Sequence, residues 1–201
     1  MFIYKLATAP MLFIWLVLIL IISITLHELA HGLAAMIEGD DTPQITGHIT
    51  LNPVVHMGWE SLIFLCIAGI AWGQMPVNPA RFRRRYSDVI VSAAGPLCNL
   101  ALALLFVLLF KLTVGFHFAG FLSSHFLYLA ARLNLILCLF NLMPIPPLDG
   151  FRIFSEFIPE LRPLEHSEFR LFAFMILYFV PGFWQTLSAI ADSFLAVAMG
   201  S

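Results

Sequence analysis

Two histidines four residues apart, with a glutamate directly after the first, stand in the stretch His27-Glu28-Leu29-Ala30-His31. On a helix, positions i and i+4 share one face, so both imidazoles can take neighbouring corners of a tetrahedral Zn²⁺ site. Glu28 is then placed to act as a base on a water that the metal acidifies. The plainer alternative is a cluster of polar residues at an ordinary helix end. The stretch begins one residue after a long apolar run, Met11 to Leu26. Ionisable groups within membrane spans are costly and are retained where they function. The motif and its setting predict a metal site inside a membrane.

A helical histidine pair supplies two ligands, whereas a catalytic zinc site takes a third and leaves one position open. Asp149 is the leading candidate. It lies in Asn141-Leu-Met-Pro-Ile-Pro-Pro-Leu-Asp149-Gly150, where Pro144, Pro146 and Pro147 stop a helix and Gly150 permits a sharp turn beside the carboxylate. The same residue could equally cap a helix starting near Phe151. Glu156, Glu160, Glu165 and Glu168 are further carboxylates on a later segment, none in so rigid a setting.

The elements that must position these residues read as membrane helices. Of 201 residues, 61% are hydrophobic and 11% charged, with 20 Phe, a composition foreign to water-soluble domains. Spans are expected at Pro10 to Met36, Ser87 to Leu112, Phe121 to Leu142 and Phe169 to Ile190. Ser61 to Met75 is apolar but only 15 residues long, short of the roughly 20 needed to cross. It reads as a re-entrant hairpin or an interfacial segment. Between it and the first span, Asp40 to Asn52 is polar and partly alternating, which predicts a short β-hairpin or strand around Ile45 to Leu51. The expected fold is an all-α polytopic membrane protein of four to five transmembrane helices, with a short membrane-associated β-strand segment and a re-entrant hairpin, in a single domain over 1–201. Lys5 precedes an apolar stretch that lacks a small-residue cleavage site, so it is read as a retained span. The ten Lys and Arg are sparse and mostly loop-borne rather than gathered on a binding face, which speaks against nucleic acid as a partner. Cys66, Cys98 and Cys138 lie in apolar stretches and read as small core residues rather than a disulfide framework.

Three segments together resemble the site-2 protease family of intramembrane zinc metalloproteases: His27 to His31, Gly95-Pro96-Leu97-Cys98-Asn99, and Phe140-Asn141-Leu142-Met143-Pro144 through Leu148-Asp149-Gly150. The resemblance implies one Zn²⁺ held by His27, His31 and Asp149, with Glu28 as the catalytic acid/base. It also implies that Asn99 contacts the substrate backbone or the reacting carbonyl, although a helix-to-helix hydrogen bond accounts for this residue equally well. The implied activity is hydrolysis of peptide bonds in or near the spans of membrane-protein substrates, in a short form without appended soluble domains. Single-span proteins and the lipid bilayer are the expected partners; any homo-oligomer or regulatory partner is left open. The alternative is an inactive metal-binding membrane scaffold or a metal transporter. A transporter would carry more ionisable residues along its spans than Arg132.

Ligand geometry also constrains topology. For Asp149 to meet the histidines, the first span and Phe121 to Leu142 must run in the same direction, so Ser61 to Met75 contributes no net crossing. Arg81, Arg83, Arg84, Arg85, Arg152, Arg162 and Arg170, seven of the ten basic residues, then fall on one side. The positive-inside rule makes that side cytoplasmic, giving a multi-pass protein of the cell membrane with its site near the cytoplasmic face. The predicted strand at Ile45 to Leu51 could pair with an unwound substrate. His56 reads as an interfacial histidine or one that approaches the metal, and His48, His117, His125 and His166 lack ligand spacing. Arg132 needs a partner within the membrane or must snorkel. Glu156 to Arg170 alternates charged with apolar residues, as in an interfacial helix.

Overall fold

The structure, a computed structural model, describes residues 2–113, 123–165 and 180–200. His117, His166, Glu168, Arg170 and the first half of the expected span at Phe169 to Ile190 lie outside the described residues, as does the start of the Phe121 to Leu142 span. All regular structure among the described residues is helical.

A short helix, α1 (Tyr4–Thr8), leads into α2 (Pro10–Ile37), which has Pro10 in its first turn, where a missing N–H costs nothing. Its other end closes in a Schellman turn: Gly39 has φ 105°, its N–H bonds to Met36 O, and the Asp40 N–H bonds to Ala35 O at 2.9 Å. The Asp40 side chain then takes over. Its carboxylate accepts from Thr42 N at 3.0 Å, Thr42 Oγ1 at 2.5 Å and Asn78 N at 2.6 Å, all from a fully buried position. Burial alone would raise this carboxyl, but these hydrogen bonds and the nearby Arg81 outweigh it and hold Asp40 below its ordinary range.

Those bonds start α3 (Thr42–Ile45), with Pro43 in its first turn, where a β-strand was expected. The alternation of Ile45, Ile49 and Leu51 finds no pairing partner; turns follow instead, with His48 N bonded to Pro43 O, and both Ile45 and Leu51 are exposed. A side chain that rewards a helical turn locally outcompetes a weak period-two pattern.

The next helix, α4 (Pro53–Ala68), is capped by Asn52 and broken at Gly58, and the chain reverses at Gly69. The following extended segment runs back along α4: Trp72 N donates to Ser61 Oγ, Ser61 Oγ to Trp72 O, and Gln74 N to His56 O. Both limbs pack on α2 through Leu65, Met57 and Ala71 against Ile24, Leu20 and Val17. The segment ends at Asn78, bonded to Asp40, so the chain leaves and rejoins the bundle at the same end of α2.

Two further long helices, α5 (Ser87–Thr113) and α6 (Ser124–Asn141), complete the core. Ser87 Oγ donates to Glu38 Oε2 at 2.6 Å, and Arg84 pairs with the same carboxylate, tying the start of α5 to the end of α2. At the opposite end Trp15 meets Phe126 edge-on at 5.7 Å, with Phe106 and Phe110 beside them. Thus α2 and α6 run in one direction and α5 in the other. These three are the helices, among the described residues, long and apolar enough to cross a membrane. After α6 come α7 (Asp149–Phe157), α8 (Arg162–Glu165) and α9 (Phe183–Met199). Ala191 and Leu195 of α9 pack on Ala103, Val107, Ala131 and Leu135. Arg132 finds its partner here: its Nε and Nη2 bond to the two carboxylate oxygens of Asp192 at 2.5 and 2.9 Å. Tyr128 donates to the same carboxylate.

Candidate metal centre

His27 and His31 lie on the face of α2 turned to α5, both buried, and Asp149 reaches them from the first turn of α7. His27 Nε2 is 3.0 Å from His31 Nε2 and 3.1 Å from Asp149 Oδ2, which is 3.3 Å from His31 Nε2. Among the described residues, this is the group whose ligand atoms converge tightly enough to hold a metal ion. Asp149 is brought there by the Pro-rich segment, in which Leu148 N bonds to Ile145 O and the backbone of Gly150 passes against the Leu142 and Met143 carbonyls. A Cβ at Gly150 would lie 2.6 Å from Met143 O, so only glycine permits this approach. The cap position of α7 is Leu148, and no side chain caps the helix. The Asp149 carboxylate is spent on the histidines instead of on its own helix.

The outer nitrogens of both rings are anchored. His31 Nδ1 lies 2.6 Å from the Val91 carbonyl, which can only accept, so Nδ1 carries the proton and Nε2 presents a lone pair. His27 Nδ1 lies 2.6 Å from Asn99 Oδ1 in the same arrangement. Two nitrogen lone pairs and a carboxylate oxygen therefore face one point with no donor among them. A divalent cation satisfies that arrangement. Gly95 lets α5 pack directly on both rings: a Cβ there would stand 2.5 Å from His27 Nε2, 2.6 Å from His27 Cε1 and closer still to His31 Nε2. The donor set, two imidazoles and one carboxylate, suits Zn²⁺.

Glu28 is buried on the next face of α2, and the extended segment after α4 crosses directly over it. A Cβ at Gly73 would lie 2.7 Å from Glu28 Cδ, so a bare backbone covers the carboxylate. Asn99 is 1% exposed and turned toward His27, with its Nδ2 donating to Asn134, so its amide faces the ligand and a neighbouring helix rather than an open cleft. The helix-to-helix hydrogen bond is present, at 3.1 Å. His56 is buried in α4, with Nε2 donating to Thr50 O at 2.7 Å and no partner at Nδ1; it is not part of the converging group. Glu156 and Glu160 do not join it either. Val91, Gly73 and Asn134 were not singled out by residue type, and Gly95 entered only as part of Gly95-Pro96-Leu97-Cys98-Asn99. A polar Asn134 within an apolar span and the glycine of Gly95-Pro96 were the signals available.

A buried His-His-Asp centre with a glutamate beside it, set among three membrane-length helices, defines the class as membrane-embedded metallopeptidases. The chain belongs to Peptidase family M50, the site-2 protease family, whose family model matches residues 15–122 and 114–181. Among its relatives is "Putative zinc metalloprotease YwhC" of Bacillus subtilis (strain 168), 36% identical over 96% of this chain and 92% of that protein. "Putative zinc metalloprotease Rip2" of Mycobacterium tuberculosis (strain H37Rv) is 32% identical over 80% of this chain, which spans 65% of that protein's length. No solved structure matches the chain.

Proposed function

We propose that the protein is a zinc-dependent intramembrane endopeptidase that cleaves peptide bonds in or near the spans of other membrane proteins, with single-span proteins as its substrates. The observation carrying this reading is the convergence of His27, His31 and Asp149 beside Glu28 within the membrane-length bundle. The relatives named as zinc metalloproteases support it.

A bound Zn²⁺ would polarise the scissile carbonyl and acidify a water molecule. Glu28 takes the proton from that water as it attacks, then delivers it to the departing amine nitrogen. His27 and His31, each oriented by an acceptor on its outer nitrogen, and Asp149 would hold the ion. Burial of all these groups limits competing water and strengthens the electrostatics of the site. A substrate helix hides its peptide bonds in its own hydrogen-bond ladder and must unwind before reaching Glu28.

In the membrane, α2, α5 and α6 cross the bilayer, and residues 53–77 enter and leave from one side. The out-and-back path pinned at Asp40 supports this re-entrant reading. Arg81, Arg83, Arg84 and Arg85 lie at the metal-proximal end of α2, which supports a cytoplasm-facing site in a multi-pass protein of the cell membrane. His31 lies six residues before the end of α2, about 9 Å along the axis, so the site is sunk below that surface.

The test is cleavage in proteoliposomes against a panel of single-span proteins. Glu28→Gln should keep its zinc and lose on the order of 10²–10⁴-fold in rate. Zinc bound, with no Glu28-dependent cleavage of any substrate, would instead identify a metal-binding scaffold.

A further inference from the structure

A metal can bind His27 Nε2 only when the ring proton sits on Nδ1, and that depends on which end of the Asn99 amide faces it. The carbonyl end accepts from Nδ1–H and leaves Nε2 free. The NH₂ end would demand a lone pair at Nδ1 and drive the proton onto Nε2, where it blocks the metal. Nothing in Asn99 itself chooses between them, since the two ends are nearly equal in shape. For His31 the question does not arise, because its anchor is the backbone carbonyl of Val91.

The choice is made on another helix. Asn134 Nδ2 donates to the Ala130 carbonyl at 2.9 Å, and a carbonyl can only accept. Its Oδ1 must then face the other way, where it accepts from Asn99 Nδ2 at 3.1 Å. That in turn leaves Asn99 Oδ1 toward His27 Nδ1 at 2.6 Å. Each link has one direction, from a backbone carbonyl of α6 through two amides to an imidazole of α2. Asn99 and Asn134 are 1% and 0% exposed, so water cannot substitute at either amide. Ala131, fully buried, packs with Ala103 of α5, and small residues at such a contact let α6 approach α5 closely.

We infer that Asn134 is a positioning residue of the metal centre: it orients the Asn99 amide and thereby sets the His27 tautomer that can hold the metal. The inference rests on the reading of His27, His31 and Asp149 as ligands. It touches neither the metal nor a substrate, and it carries a design consequence. A carboxylate accepts at both oxygens, so aspartate at position 99 would need no orienting partner.

The experiment measures zinc affinity by chelator competition on the purified full-length protein in detergent, with Co²⁺ substitution to read the ligand field. Asn134→Leu should weaken zinc about 10- to 100-fold, as loss of outer partners of metal-bound histidines does. Asn99→Asp combined with Asn134→Leu should restore most of that loss, which a merely structural role would not allow. Asn134→Ala, paired with Asn99→Asp in the same way, serves if leucine prevents folding. Wild-type zinc affinity in the position-134 variants would overturn the inference, as would a double variant no better than the single. Asp149→Ala separates the two levels: if it too keeps wild-type zinc, the ligand assignment itself fails; if it alone loses zinc, the failure is confined to Asn134.

Discussion

A single methyl group placed on Gly95 would collide with the His27 and His31 rings and push them out of position. Gly95→Ala should therefore lower zinc affinity by more than 100-fold while leaving α5 helical, because alanine is the better helix former. Chelator competition together with circular dichroism checks both halves, and full zinc affinity in this variant would show that the close packing of α5 on the two rings does not set the site. At the same scale, the pairing of His27 with His31 was legible from spacing, since i and i+4 share a helical face regardless of what surrounds them. Asp149 was legible as a candidate through its prolines but not as a ligand, because an aspartate at a helix start serves equally well as a cap. The empty cap at Leu148 and the 3.1 and 3.3 Å approaches to the histidines support the ligand reading proposed above.

At the scale of elements, the end of α2 depends on Asp40, whose carboxylate organises α3 and holds Asn78 at the foot of the returning segment. Its folded pKa is depressed below 3.8, so the stability it contributes is present above about pH 4 and lost as pH falls through the folded value. Asp40→Asn should cost on the order of 1–2 kcal/mol at pH 7, and the gap to wild type should narrow below about pH 4. Thermal unfolding of both proteins across that range measures it; a gap independent of pH would mean the charge is not what matters. The same carboxylate explains why the expected strand at Ile45 to Leu51 is a helical turn followed by bends. Alternation over a few residues is a weak signal, and a buried aspartate two residues before a threonine is a strong local one.

For the whole molecule, α9 is held to α6 by the bidentate Arg132–Asp192 pair and by small-residue packing of Ala191 against Ala131 and Ala103. Both partners are partly exposed, and polar pairs between membrane helices contribute modestly, so a double-mutant cycle over Arg132→Met and Asp192→Leu should return a coupling of about 1 kcal/mol. Asp192→Leu alone should be the more damaging single change, since it leaves an arginine unpaired at membrane depth. A double variant whose loss equals the sum of the two singles, a coupling of zero, would assign the docking of α9 to packing alone.

Composition and hydrophobic runs determined that this chain is helical and membrane-embedded, and local spacing determined that α2 carries a histidine pair and a glutamate. Both follow from short-range rules: apolar length against bilayer thickness, and the 3.6-residue period of a helix. What only the tertiary structure decided is which acceptors turn the two imidazoles, how closely α5 packs on them, and that a return segment lies over Glu28. Those depend on a backbone carbonyl at Val91, a missing side chain at Gly95 and an amide on α6. Such features are set by how helices far apart in the chain approach one another, and no local pattern of residue types encodes that approach.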